Sequence, residues 1–307
     1  MREGEAAREA VAEAGRRTAS RREIGRHERF GEVSPEVGVL DEHAFAEAFD
    51  ADPDEALALL ADMTGATDQA LRALARRLAG RVVVDLARIG PERRRGVGRL
   101  RRVPMSVADG DVDLDASMEA IVEGRAAGRV VDADRVQVSA WQRPSTAVCL
   151  LVDRSGSMAG DRLAAAAVAA AAVVFRAPRD CSVVCFSDEA VTVKAQGEDR
   201  SADEVVADVL GLRGFGITDM GLALRTAARQ LSRSRAGRRL AILMSDCRAT
   251  TGGDPLPHAA GIDELVVLAP AGDTADAEAL ADALGARWAE LAGPAGAPEA
   301  LGRLLSG

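Results

Sequence analysis

One stretch constrains this chain more than any other: Ala147-Val-Cys-Leu-Leu-Val-Asp153-Arg-Ser155-Gly-Ser157-Met158. An apolar run without a polar break predicts a strand buried on both faces, as in a parallel sheet, because a half-exposed strand alternates. The run stops at a carboxylate, and two hydroxyls follow at alternate positions around a glycine. Side chains at the carboxyl end of such a strand project into the crevice where open α/β sheets hold their ligands. Asp153, Ser155 and Ser157 offer only oxygen donors. Hard donors of this type suit Mg²⁺, Mn²⁺ or Ca²⁺ and not zinc.

The sequence after this stretch keeps alternating strand and helix patterns. Thr146 to Val152 is the first central strand, and Leu163 to Phe175, apolar almost all round, is a helix packed close to the sheet through alanines. Cys181 to Phe186 is a second strand and Ala190 to Val193 its antiparallel edge partner. Ala202 to Leu210 is helical, and a glycine-rich loop leads from Gly211 through Gly216 to Thr218 and Asp219. Met220, Ala223, Leu224, Ala227 and Leu231 then recur at helical spacing. Leu240 to Met244 is another buried strand, ending at Ser245-Asp246-Cys247. Leu265 to Leu268 is the next strand and Ala275 to Leu284 a helix. Trp288 marks an edge strand, and Pro298 to Leu305 closes the chain as a helix. Such alternation predicts an α/β fold with a doubly wound, mostly parallel sheet, preceded by a smaller helical region.

Four segments are expected. Residues 1–35, rich in Glu, Arg and Ala, read as a charged arm, disordered or helical. Residues 36–90 read as a helical module. There Asp52-Pro53-Asp54-Glu55 supplies a cap, a proline at the first helical position and acidic residues after it. Leu71, Leu74, Ala75, Leu78, Val82 and Leu86 form an apolar stripe that Gly90-Pro91 ends. Residues 91–135 hold an arginine-rich segment, Arg93 to Arg102, and a short helix from Ala116 to Val122. The segment reads either as a solvated linker or as a docking strip for an acidic partner. Asp111, Asp113 and Asp115 alternate as in a calcium loop, but Ala116 and Val122 stand where an EF-hand requires glycine and glutamate, so helix capping explains Asp115. Residues 136–307 form the α/β domain, expected to fold on its own.

Asp153-x-Ser155-x-Ser157 after a buried strand resembles the metal-ion-dependent adhesion site of von Willebrand factor A (VWA) domains, and the resemblance extends over roughly residues 136–307. It implies that Ser155 and Ser157 ligate a cation directly, that Thr218 is the third protein ligand, and that Asp153 and Asp246 hold coordinated waters. Three neutral hydroxyls leave the charge of a cation largely uncompensated, while carboxylates one shell out orient water without fully neutralising it. A site of that kind keeps an open position for an external carboxylate. The family often has glycine after the last aspartate, where this chain has Cys247. A helical region before such a domain resembles bacterial CoxE-like and MoxR-associated proteins and the D subunit of magnesium chelatase, which implies an AAA+ ATPase partner.

Composition excludes several alternatives. A net charge of −9, with aromatic residues at 3% and no tyrosine, leaves neither a phosphate-neutralising field nor stacking platforms, so no nucleic-acid partner is expected. Leu163 to Phe175, the longest apolar run, falls short of the ~20 residues that span a bilayer. The first residues carry no apolar core of a secretory signal. Cys149, Cys181, Cys185 and Cys247 lie in or beside apolar runs without a Cys-x-x-Cys pair, which predicts buried reduced thiols and a cytoplasmic location. A nucleophile elbow and a Walker A motif are both missing, and His27, His43 and His258 are scattered.

The expected function is a non-enzymatic, metal-dependent interaction protein, using Mg²⁺ (or Mn²⁺ or Ca²⁺) to bind a partner's Asp or Glu, as adaptor of a MoxR-type AAA+ ATPase in protein remodelling or metal insertion. One alternative is a noncatalytic magnesium or cobalt chelatase subunit. A metal-dependent hydrolase is the alternative of another class, and it would need Asp246 or Asp219 as general base.

Overall fold

Asp52 does what its sequence context predicts, accepting hydrogen bonds from the N–H groups of Asp54 and Glu55 at 3.1 Å each, with Pro53 in the first turn. The helix so started, α5 (Pro53–Met63), belongs to a run that begins with α1 (Glu5–Ala14), α2 (Arg21–Ile24), α3 (Phe30–Val33) and α4 (Glu42–Ala51) and ends with α6 (Gln69–Arg88). The computed structural model describes residues 1–88, 99–106, 109–142, 146–154, 160–212, 217–272 and 274–306. Residues 1–35, expected as a charged arm, thus contribute three helices, and Arg2 and Glu3 are tied down as well. Arg2 pairs with the edge strand at Val191, and Glu3 bonds the Arg233 guanidinium at 2.8 Å.

Packing divides the chain into two compact units, Met1–Glu92 with Thr146–Gly307, and Arg93–Ser145. The smaller unit is a three-stranded antiparallel sheet in the order β1-β3-β2, built from β1 (Arg99–Pro104), β2 (Asp111–Val112) and β3 (Gln137–Gln142), with helix α7 (Leu114–Ala126). Most of the arginine-rich segment lies outside the described residues, but its end is β1, in register with β3 from Arg99↔Gln142 to Pro104↔Gln137. A hairpin-like pairing across some thirty residues is not visible in local composition, which explains why this stretch reads as linker. The cap of α7 is Asp113, which accepts from the Ala116 N–H at 3.0 Å, and not Asp115. That backbone hydrogen bond, with Arg102 at 2.5 Å, holds the Asp113 carboxyl below the usual range.

The larger unit carries β4 (Thr146–Asp153), α8 (Asp161–Arg176), β5 (Cys181–Phe186), β6 (Ala190–Lys194), α9 (Ala202–Gly211), α10 (Met220–Leu231), β7 (Arg238–Met244), β8 (Glu264–Pro270), α11 (Ala275–Leu284), β9 (Arg287–Leu291) and α12 (Ala297–Ser306). Among the described residues the sheet has six strands in the order β6-β5-β4-β7-β8-β9. All neighbours are parallel except β5 and β6, the edge pair expected to be antiparallel. Strands β4 and β5 are buried on both faces, as an unbroken apolar run requires. Val148, Leu150 and Val152 belong to one core with α8, the first six helices, α9 and α12, while Ala147, Cys149 and Leu151 belong to a second core with α10 and α11. The domain boundary expected at residue 136 therefore meets a unit that resumes at Thr146 and includes the helices before Glu92. Helices α5 and α6 pack directly on α8, and all six helices contribute to one core with the sheet instead of building their own.

Candidate metal centre

The strand order reverses between β4 and β7, since β4 continues through α8 to β5 on one side while β7 leads to β8 and β9 on the other. This switch point, at the carboxyl ends of the strands, is where open α/β sheets hold ligands. Asp153 ends β4, and Ser245 and Asp246 follow β7. Asp153 is buried, at 4% exposure, and its Oδ2 accepts the Ser245 hydroxyl at 2.6 Å. The same Ser245 Oγ accepts from the Cys247 N–H at 2.8 Å. Ser245 thereby fixes the turn that presents Asp246 beside Asp153. Cys247 takes φ +61°, the left-handed region in which glycine is at ease. This chain thus keeps the turn that a glycine would make, at a backbone cost of roughly 1–2 kcal/mol.

Asp246 accepts from the Arg248 N–H at 3.2 Å through Oδ1 and from the Arg162 guanidinium at 3.0 Å through Oδ2. Thr218 lies two residues before α10, the helix of the other core. Its N–H donates to Thr250 Oγ1 at 2.8 Å, and its carbonyl accepts from the Thr250 and Thr251 N–H groups at 3.2 and 3.3 Å. The loop opened by Asp246 is thereby stitched to the residue before Asp219, the cap of α10, which accepts the Leu222 N–H at 2.8 Å. Gly252, at φ +90°, is required there, because a Cβ would stand 2.6 Å from the Asp219 carboxylate. Three of the five expected site residues, Asp153, Thr218 and Asp246, are therefore held at one end of the sheet, whereas Ser155 and Ser157 lie outside the described residues.

The donor chemistry fits a hard cation. Asp153, Thr218 and Asp246 bring oxygen only, and burial pushes the neighbouring Cys247 thiol up to about 12, so no thiolate is at hand. Among the described residues no cluster of three or more His, Cys, Asp or Glu side chains is placed to hold a metal ion, which sets this arrangement apart from a carboxylate- or imidazole-caged centre. The other three cysteines are free and buried as well, and burial raises the Cys149 and Cys185 thiols to about 12.

Sequence reasoning missed the support that reaches this site from the first helices. Asp62 of α5, at 4% exposure, accepts the Gly160 N–H at 3.2 Å through Oδ1. Gly160 directly precedes α8 and directly follows the segment carrying Ser155 and Ser157. The other oxygen of Asp62 accepts from Arg26 at 2.7 Å and from His27 Nε2 at 3.0 Å, and His27 Nδ1 donates to Glu55 at 2.7 Å. Burial opposes a charge on His27, but the hydrogen bonds to Asp62 and Glu55 outweigh it and raise its pKa. Ser245 was visible as the neighbour of Asp246, and Glu55 and Asp62 share α5, but no local signal joins them to His27, which lies 28 and 35 residues earlier.

A family profile described as VWA domain containing CoxE-like protein matches residues 74–272, more than half of the chain and including most of α6. Among solved structures, the chain is similar to a PilB minor pilin variant from Streptococcus sanguinis at 14% identity, over 56% of this chain and 63% of that one, with a TM-score of 0.43. It is similar to a von Willebrand factor type A protein from Catenulispora acidiphila at 20% identity, over 55% and 43%, with a TM-score of 0.43. It is also similar to the manganese-loaded TRAP protein of Plasmodium vivax at 19% identity, over 48% and 68%, with a TM-score of 0.38. The chain spans less than two thirds of the first two of these structures. Among curated proteins there is no match. No helix among the described residues is long and apolar enough to cross a membrane.

Proposed function

The chain belongs to the family of VWA domain containing CoxE-like proteins, and on that premise we propose that it is a non-enzymatic interaction protein that binds a partner's Asp or Glu through a divalent cation, Mg²⁺ first. The observation that carries this reading is the meeting of Asp153 and Asp246 at the ends of adjacent parallel strands, joined through Ser245. In this reading Ser155, Ser157 and Thr218 offer their hydroxyls as ligands, and Asp153 and Asp246 orient waters. When bound, the cation supplies an electropositive open position for an external carboxylate. The chain's own contribution is to aim neutral donors at that position and keep both carboxylates one step back, so that the charge is not cancelled. No histidine or lysine among the described site residues offers itself as a general base, which favours binding over hydrolysis. The adaptor role beside a cytoplasmic MoxR-type AAA+ ATPase rests on the family alone, and a chelatase subunit would differ only in its client.

The test is calorimetry with Mg²⁺ and Mn²⁺ together with capture of an AAA+ ATPase with and without EDTA. Asp153→Ala and Asp246→Ala are expected to lower cation affinity at least tenfold and to abolish metal-dependent capture while the fold persists. Capture that survives EDTA and both substitutions would overturn the metal mechanism.

A further inference from the structure

On the α8 side of the switch point lies a cavity of about 220 Å³, whose wall includes Asp153, Ser245 and Asp246. Its floor is apolar. Ala165 and Ala166 of α8 are too small to reach the strand ends, and Met244, Leu268 and Leu291 close the opposite side. The cavity exists because α8 is built from alanine where it passes these strands. The size is informative. It exceeds the ~150 Å³ apolar cavity that accommodates a benzene-sized guest, yet it falls below the ~300–1,000 Å³ of sites that enclose a whole small molecule. It therefore holds one apolar group and not a complete metabolite. Arg162 and Asp161 stand at its rim, with Arg162 paired to Asp246 at 3.0 Å. Burial, reinforced by Glu55 and Asp54, raises the pKa of Asp161, whose side chain is exposed at the rim.

We propose that this cavity is a subsite for the apolar group next to a partner's metal-binding carboxylate, so that the partner presents an Asp or Glu flanked by a residue of leucine to phenylalanine size. The inference rests on the function proposed above, because the cavity shares Asp153 and Asp246 with the metal centre. Because Asp153 and Asp246 border both the metal centre and the cavity, an apolar group beside a bound carboxylate would find the alanine-lined floor within reach, and that floor would take up apolar surface that otherwise faces water. Each buried methylene strengthens binding about fourfold, so the subsite selects among acidic ligands that the cation alone would accept alike.

The experiment titrates the full chain with acetate, 3-methylbutanoate and 3-phenylpropanoate by nuclear magnetic resonance, with Mg²⁺ or EDTA. The expected result is metal-dependent binding of all three, with 3-methylbutanoate at least about tenfold tighter than acetate. Ala166→Leu fills the cavity and should return that ratio to near one while Mg²⁺ affinity without carboxylate is unchanged. Met244→Ala enlarges it and should move the preference towards 3-phenylpropanoate. Metal-dependent binding with equal affinity for all three acids would overturn the subsite and leave the metal-dependent function standing. Failure of every acid to bind in Mg²⁺ would instead remove the parent reading, and the subsite with it.

Discussion

The two faces of the central sheet are covered to different depths. On one face α10 and α11 form a single layer, with Met220, Ala223, Leu224, Ala227 and Leu231 of α10 turned inward and Arg225 and Arg229 exposed. On the other, α8 is buried at every position from Leu163 to Val174, because α5, α6, α9 and α12 pack against its outer side. A helix apolar all round needs cover all round, whereas an amphipathic helix needs one partner. The first helices are therefore part of the domain's core and not an appendage to it. It also shows why support for the metal centre comes from both sides in different forms: a threonine loop on the thin face, a buried carboxylate on the thick one.

The largest expected effect comes from removing the thick cover. A chain beginning at Thr146 exposes the outer side of α8, and we expect aggregation or a molten state without a cooperative thermal transition, against a cooperative transition for the full chain. Cooperative unfolding of the shortened chain would show that α8 does not need the first helices. Next in size is Asp62→Ala, which strips His27 and Arg26 of a buried charged partner and Gly160 of its acceptor. Breaking a buried pair costs ~3–5 kcal/mol, to be read from denaturant unfolding, and Mg²⁺ affinity should fall with it because Gly160 borders the Ser155–Ser157 segment.

Smaller effects sharpen the contrast between the helices themselves. Ala167→Leu overpacks α8 and should cost ~1–3 kcal/mol, while Arg229→Ala on the open side of α10 should stay within ~0.5 kcal/mol. Similar costs at the two positions would mean that the faces are equally covered. The smallest effect is on pH dependence. The pKa of His27 is raised in the fold, so its stabilising charge is complete below the unfolded value of about 6.5 and is lost as pH rises through the folded value. The stability advantage of the wild type over His27→Gln should therefore shrink as pH rises above about 6.5, measured as Tm across a pH series.

Legibility in the sequence followed the range of the interactions. Strand β4, its alanine helix and the antiparallel edge pair were legible because each is written in a local run or period, and Asp153 and Asp246 because each ends an apolar strand. The pairing of β1 with β3 was not, since nothing near Arg99 announces Gln142 as its partner. The α7 cap was displaced by two residues, because three alternating aspartates offer equivalent local capping signals and only the position of the helix start selects Asp113.

Sequence by itself determined the alternation of strands and helices, the apolar character of β4 and α8, and the oxygen-only chemistry of the site, all of which depend on residue type and near-neighbour spacing. Tertiary structure alone decided that Asp62, His27 and Glu55 meet beside Gly160, that Ser245 joins Asp153 to the turn at Cys247, and that alanines leave a cavity under Asp246. These depend on which surfaces close on one another, and the free energy of that closure is shared among residues that are distant in the chain and carry no mark of it locally.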